Sequence, residues 1–272
     1  MNEAVVQQSI ASHDWRCVVL HGCVAGTVRS VGEARRLFPE ATGKTRIMGS
    51  FKQIVSRFLQ PAIFPFYVLL LVYLVTYKPH VARPDECITA AILKILPIWF
   101  LVYYTYQRQE TTGAPPAGRN YFLYGLMISS LGDVCLVYQN LFKPGVGVFG
   151  MAQLCYLLHF RRGCTRQTRA WIAPLLGACV YVILFPGMEE TSMRLIVLLY
   201  TCLIHAMLYY AISGYESRPS PSSFCAMLGA FVFISSDFTI AFSKWVYEFS
   251  LAEGVIMATY YTAQLLLTIG NS

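Results

Sequence analysis

From residue 61 to the C-terminus the chain consists of apolar runs, eight in number and each about 17 to 25 residues long, separated by polar connections. Hydrocarbon offers no water to backbone N–H and C=O groups. A run of that length is therefore stable in a bilayer only when it closes its own hydrogen bonds as a helix. The spans read from the sequence are 61–77, 87–106, 120–139, 145–161, 170–186, 192–212, 223–247 and 254–270. With 56% hydrophobic residues and only 13% charged, the composition fits this reading and not a soluble globular domain. The expected fold is an all-α membrane protein of about eight transmembrane helices over residues 61–270, preceded by an N-terminal extension, residues 1–60.

The formal charge of +7 is spread among the connections. It is a topology signal, not the basic patch of a nucleic-acid binder. If the N-terminus is cytoplasmic, that side receives Lys44, Arg46, Lys52, Arg57, Arg108, Arg119, Arg161, Arg162, Arg166, Arg169 and Arg218. The opposite side receives only Lys78, Arg83, Lys143, Arg194 and Lys244. The positive-inside rule then places both termini in the cytoplasm. Residues 1–60 read as a flexible cytoplasmic segment, in which Phe51 to Leu59 can lie as an amphipathic helix on the membrane and Met48 is an alternative start. No basic stretch followed by an apolar run and a small-residue cleavage site opens the chain, so no cleaved signal peptide is expected. The nine cysteines have no C-x-x-C spacing and are expected to be reduced.

Of the fourteen Asp and Glu residues, only Asp133 and Asp237 lie deep within apolar runs. An acid at a bilayer centre costs roughly 2.5 to 3.5 kcal/mol on insertion scales, which makes the pair a candidate intramembrane site. Each lies about 12 to 13 residues, roughly 18 to 20 Å, from the cytoplasmic start of its helix. Lys94, Gln153 and Tyr260 enter from the opposite side, about 6 to 8 residues or roughly 9 to 12 Å in, and converge on the same layer. Gln264 lies deeper. With Tyr260 and Tyr261 it puts amide and hydroxyl groups near one helix face. His205 falls nearer the cytoplasmic side and reads as a packed, hydrogen-bonded side chain.

Gly125, Ser129 and Gly132 form a stripe of small residues beside Asp133, along which a neighbouring helix can approach closely. A glycine stands eight residues before the aspartate in both helices, Gly125 to Asp133 and Gly229 to Asp237. Because the two helices cross in the same direction, a parallel four-plus-four repeat is one account of this match.

Taken in order and spacing, Lys94-Ile-Leu-Pro97, the Gly-Asp that ends Gly125 to Asp133, Ser236-Asp237 and Thr259-Tyr-Tyr-Thr-Ala-Gln264 resemble the lysoplasmalogenase (YhhN-like) family. The resemblance covers roughly residues 61 to 270. It implies an integral membrane hydrolase, of the endoplasmic reticulum in animals, that cleaves the vinyl ether bond of lysoplasmalogen. The products are then a fatty aldehyde and glycerophosphoethanolamine or glycerophosphocholine. One position departs from the family pattern: Gln153 stands where a histidine is expected, and an amide hydrogen-bonds but does not carry a proton as imidazole does.

Vinyl ether hydrolysis begins with protonation of an alkene carbon and continues with water capture of the resulting oxocarbenium ion. One carboxylic acid held neutral and one carboxylate suit these steps, which gives Asp133 and Asp237 the catalytic roles in either order. Lys94, Gln153, Tyr260, Tyr261 and Gln264 then position substrate or water. Two other readings compete. In a transporter or a non-catalytic lipid-binding protein, the aspartates carry protons or lock helices together. In an intramembrane aspartyl protease, Leu-Gly-Asp133 supplies half of the pair, although Ser130 stands where Gly-x-Gly-Asp needs its first glycine and no Pro-Ala-Leu follows Asp237. The sequence contains no nucleotide-binding loop, nucleophile elbow or His and Cys cluster. No cofactor or metal is expected, and the expected partners are a lysophospholipid substrate and membrane lipids.

Overall fold

The computed structural model describes residues 52–79, 86–111, 119–162, 164 and 170–271, and the described residues are helical with short connections. Most of the extension expected over 1–60, namely 1–51, lies outside them. A short helix, α1 (Lys52–Phe58), is followed by a bend of 42° and a single 3-10 turn, Pro61–Ile63. Seven helices of the main body then follow to residue 245: α2 (Phe64–Tyr77), α3 (Ile88–Thr111), α4 (Arg119–Val137), α5 (Phe142–Arg161), α6 (Ile172–Leu184), α7 (Thr191–Ser217) and α8 (Pro221–Trp245). The last is α9 (Ala252–Asn271).

Each of the eight apolar runs overlaps one of the helices α2 to α9. Five of these, α3, α4, α5, α7 and α8, are long and apolar enough to cross a membrane, and α1 with α2 makes six if the bent pair is one span. The protein is thus an all-α polytopic membrane protein with five to six such helices among the described residues, short of the eight expected. The shortfall has a physical origin. Helix α6 is short, and α9 is diluted by Thr259, Tyr260, Tyr261, Thr262, Gln264 and Thr268.

Local signals fix several helix ends. Ser220 caps α8 by accepting from the Ser223 backbone N–H while the Ser223 side chain accepts from the Ser220 N–H, a capping box followed by proline at the first helical position. Lys78 ends α2 in the left-handed region, at φ 44°. Helices α3 and α7 run past their apolar runs into Gln107–Thr111 and Ser213–Ser217, because a helix in water keeps its backbone bonds without an apolar face.

Helices α4 and α5 pack together, as do α8 and α9; α7 packs on α5, α6 and α8, and α3 on α2 and α4. Glycines set the closest approaches. A Cβ on Gly125 would stand 2.4 Å from the Tyr156 ring, and one on Gly132 2.6 Å from the Phe149 ring, so the small-residue stripe of α4 receives aromatic side chains of α5. Asp133, beside this stripe, is thereby held inside the bundle instead of facing lipid.

Candidate functional site

Asp133 is 2% exposed and fully partnered. Lys94, from α3, brings Nζ to 3.7 Å from Oδ1, and the Tyr260 hydroxyl, from α9, donates to Oδ2. Lys94 is itself held close by, since the Tyr261 hydroxyl donates to its backbone oxygen at 2.8 Å. Behind Tyr260, Gln264 orders a second layer: Nε2 donates to the Tyr260 hydroxyl at 3.2 Å and to Ser129 Oγ at 3.0 Å, while Oε1 accepts from the Tyr156 hydroxyl at 3.0 Å. An unpaired carboxylate in an apolar interior is very costly, and this network removes that cost with one cation and aligned hydroxyls.

Asp237, from α8, is partnered differently. The Tyr200 hydroxyl, from α7, donates to Oδ2, and Gln153 Nε2 donates to that hydroxyl at 3.4 Å. Among the described residues Asp237 has no cation partner and no hydrogen bond to Asp133. Asp237 lines an apolar cavity of about 650 Å³, counted with its open mouth, and is partly accessible through it. The walls include Leu136, Phe149, Val197, Ile234 and Phe238, and the cavity extends to Phe142, Leu184 and Trp245 at the helix ends. Phe149 separates the cavity from the Asp133 network, with its ring centroid 6.2 Å from that of Tyr260.

The predicted residues thus fall into two linked groups. Lys94, Asp133, Tyr260, Tyr261 and Gln264 share one network; Asp237 and Gln153 share another, through Tyr200. His205 hydrogen-bonds through Nδ1 to the Thr201 carbonyl at 2.9 Å, while Nε2, buried on the cavity wall, has no hydrogen-bond partner among the described residues. Gly177 of α6 makes room for this imidazole, because a Cβ there would stand 2.9 Å from the ring. No group of three or more His, Cys, Asp or Glu side chains among the described residues could hold a metal ion.

A family profile described as the YhhN family matches residues 89–271, about two thirds of the chain and all of the helices that carry this site. The chain belongs to the YhhN family. It is similar to a protein described as lysoplasmalogenase TMEM86B from Rattus norvegicus, 31% identical over 206 residues that cover 75% of this chain and 81% of the relative. Lysoplasmalogenase TMEM86A from Homo sapiens is 29% identical over 218 residues, 77% of this chain and 88% of the relative. Human lysoplasmalogenase TMEM86B is 30% identical over 190 residues, 66% and 74%. No solved structure matches the chain.

Three side chains of this YhhN protein belong to the two networks and escaped the sequence reading: Ser129, Tyr156 and Tyr200. Ser129 was legible only as a small residue on the stripe. Tyr156 and Tyr200 are hidden among eighteen tyrosines, most of which could belong to an interfacial belt. Tyr200 does carry a usable signal, since it stands about nine residues, roughly 13 Å, inside α7, too deep for a belt residue.

Proposed function

We propose that this protein hydrolyses the vinyl ether bond of a lysoplasmalogen, with Asp237 as the acid at the reacting carbon and Asp133 as the charged partner. The observation that carries the reading is the contrast between the two buried carboxylates. One is neutralised by Lys94 and enclosed. The other has no cation and faces an apolar cavity, where a neutral carboxylic acid is the cheaper form. The cavity suits a single hydrocarbon chain, and the family relatives are described as lysoplasmalogenases.

The steps balance as follows. Asp237 gives its proton to the β carbon of the vinyl ether, leaving an oxocarbenium ion at the carbon bonded to oxygen and a carboxylate on Asp237. Water adds to that carbon and returns a proton to Asp237. The hemiacetal then collapses to a fatty aldehyde and the free glycerol hydroxyl. The Asp237 carboxylate left by that transfer stabilises the cation, the ion-paired Asp133 stays ionised behind Phe149, and Tyr200 and Gln153 hold Asp237 in place. Gln153 needs no proton of its own in this scheme, so the amide in place of histidine is compatible with turnover.

The same reading includes eight crossings, a cytoplasmic location of both termini, residence in the endoplasmic reticulum and a parallel four-plus-four arrangement. In support of the last, α4 packs on α3 and α5 as α8 packs on α7 and α9, and the α5–α7 contact has a counterpart in α9–α3.

Aldehyde release from lysoplasmenylethanolamine by the purified chain tests the reading. Asp237→Asn is expected to lose at least about 100-fold in kcat with folding retained, as for a missing general acid, and Asp133→Asn to lose activity as well. Full activity in Asp237→Asn would end it. Uptake or binding of lipid without turnover would favour the transporter or binding protein, and cleavage of a membrane-spanning peptide reporter the protease.

A further inference from the structure

The cavity that holds Asp237 reaches the end of the bundle between Phe142, Leu184 and Trp245. This is the cation-poor side of the chain. Of the five cations that the loop count assigns to it, three stand next to these residues: Lys143 follows Phe142, Lys244 precedes Trp245, and Arg194 lies over the ring of Phe185, which follows Leu184. Lys143 is engaged by Glu190, whose carboxyl is held below the usual carboxylate range by the Lys143 hydrogen bond and then that of Ser192. The other two have no carboxylate partner among the described residues. Lys244 Nζ lies 4.4 Å from the centroid of the Phe142 ring, which packs edge-on against Trp245 at 6.0 Å. Arg194 lies 4.5 Å from the centroid of the Phe185 ring, and its Nε donates to the Met188 carbonyl at 2.6 Å. Aromatic faces hold both cations at this end of the cavity while leaving N–H donors free for an anion.

We propose that Lys244, assisted by Arg194, binds the phosphodiester of the lysophospholipid headgroup at the cavity mouth and so sets how deep the lipid sits. The inference rests on the vinyl ether reading of the same cavity. Asp237 and Lys244 are seven residues apart on α8, which puts them on the same helix face and roughly 10 Å apart along it. In a lysoplasmalogen the phosphate and the vinyl ether are joined by the three-carbon glycerol bridge. Once the flexible lysine arm reaches inward, that bridge spans the remaining gap. A phosphate at Lys244 therefore brings the vinyl ether to Asp237 and leaves the chain among the apolar walls, whereas a lipid without phosphate has no fixed depth.

The test compares the purified chain on 1-alkenyl-glycerophosphoethanolamine and on 1-alkenylglycerol, which lacks the phosphate. Wild type is expected to prefer the phospholipid by about tenfold or more in kcat/KM, the value of one hydrogen bond to a charged group. Lys244→Gln is expected to abolish most of that preference through KM, and Arg194→Gln part of it. Lys78→Gln, on the same side but away from the opening, is expected to retain it. An unchanged preference in both Lys244→Gln and Arg194→Gln overturns the proposal. If wild type hydrolyses neither ether, the vinyl ether reading fails on its own, and the mouth is then judged by binding of the saturated 1-alkyl-glycerophosphoethanolamine against 1-alkylglycerol. Equal affinity for the two overturns the proposal, and weaker phospholipid binding in Lys244→Gln supports it. Inorganic phosphate added to 1-alkylglycerol is not expected to restore the missing affinity; if it does, the opening is a site for the free anion and the lipid assignment is wrong.

Discussion

At the scale of residues, the two aspartates differ in what their loss exposes. Removing Lys94 alone leaves the Asp133 carboxylate buried with only a hydroxyl partner, and breaking a buried ion pair from one side costs about 3 to 5 kcal/mol. Lys94→Met is therefore expected to lower the thermal unfolding midpoint in detergent markedly, whereas Lys94→Met combined with Asp133→Asn recovers much of the loss. A double variant no more stable than Lys94→Met would show that the pair does not carry the energy assigned to it. Lys94, Asp133, Asp237 and Gln264 were legible because a charge or an amide within an apolar run needs a reason. The partition into a closed network and a cavity was not legible. It depends on Phe149 standing between Tyr260 and the open space, and nothing distinguishes Phe149 from the other sixteen phenylalanines in one dimension.

At the scale of elements, the glycines act where helices touch. A Cβ on Gly270 of α9 would stand 2.6 Å from the backbone nitrogen of Ala226 on α8, a group that cannot rotate away, so the helices themselves must separate. Gly270→Ala is expected to cost about 1 to 3 kcal/mol of stability, as overpacking does. Gly147 in α5 has nothing within 4 Å of the same position, and Gly147→Ala is expected to be neutral or to stabilise by up to about 1 kcal/mol through helix propensity. Thermal unfolding of the two variants side by side is the check, and an equal effect would contradict the packing argument. The element limits themselves were readable, because an apolar run ends where the bilayer ends. The readings missed mainly the polar extensions of α3 and α7, where apolar content no longer reports helix. They also counted α9 as an apolar span, although over a membrane-length stretch it is less apolar than α3, α4, α5, α7 and α8.

At the scale of the whole molecule, that shortfall is itself informative. The 20 residues of α9 measure about 30 Å, enough to cross the hydrocarbon. Four of its polar side chains do not face lipid: Tyr260, Tyr261, Gln264 and Thr268 are buried and each hydrogen-bonds within the bundle, while Thr262 is exposed. A helix enclosed by its neighbours does not need a hydropathy that only lipid exposure demands. Helix α6 is the opposite case, short but with Trp171, Ile172, Leu175, Val182 and Ile183 exposed, as contact with lipid requires. Both are therefore expected to cross. Glycosylation acceptors on flexible spacers, inserted singly after residues 113, 188 and 248 or appended to the C-terminus, test this during expression into endoplasmic reticulum membranes. Acceptors at 188 and 248 are expected to be modified, and those at 113 and the C-terminus to stay bare. Equal modification at 248 and the C-terminus would mean that α9 does not cross. The Tyr260 and Gln264 arms of the Asp133 network would then come from a helix that does not cross, and the intramembrane site would lose the span that completes it.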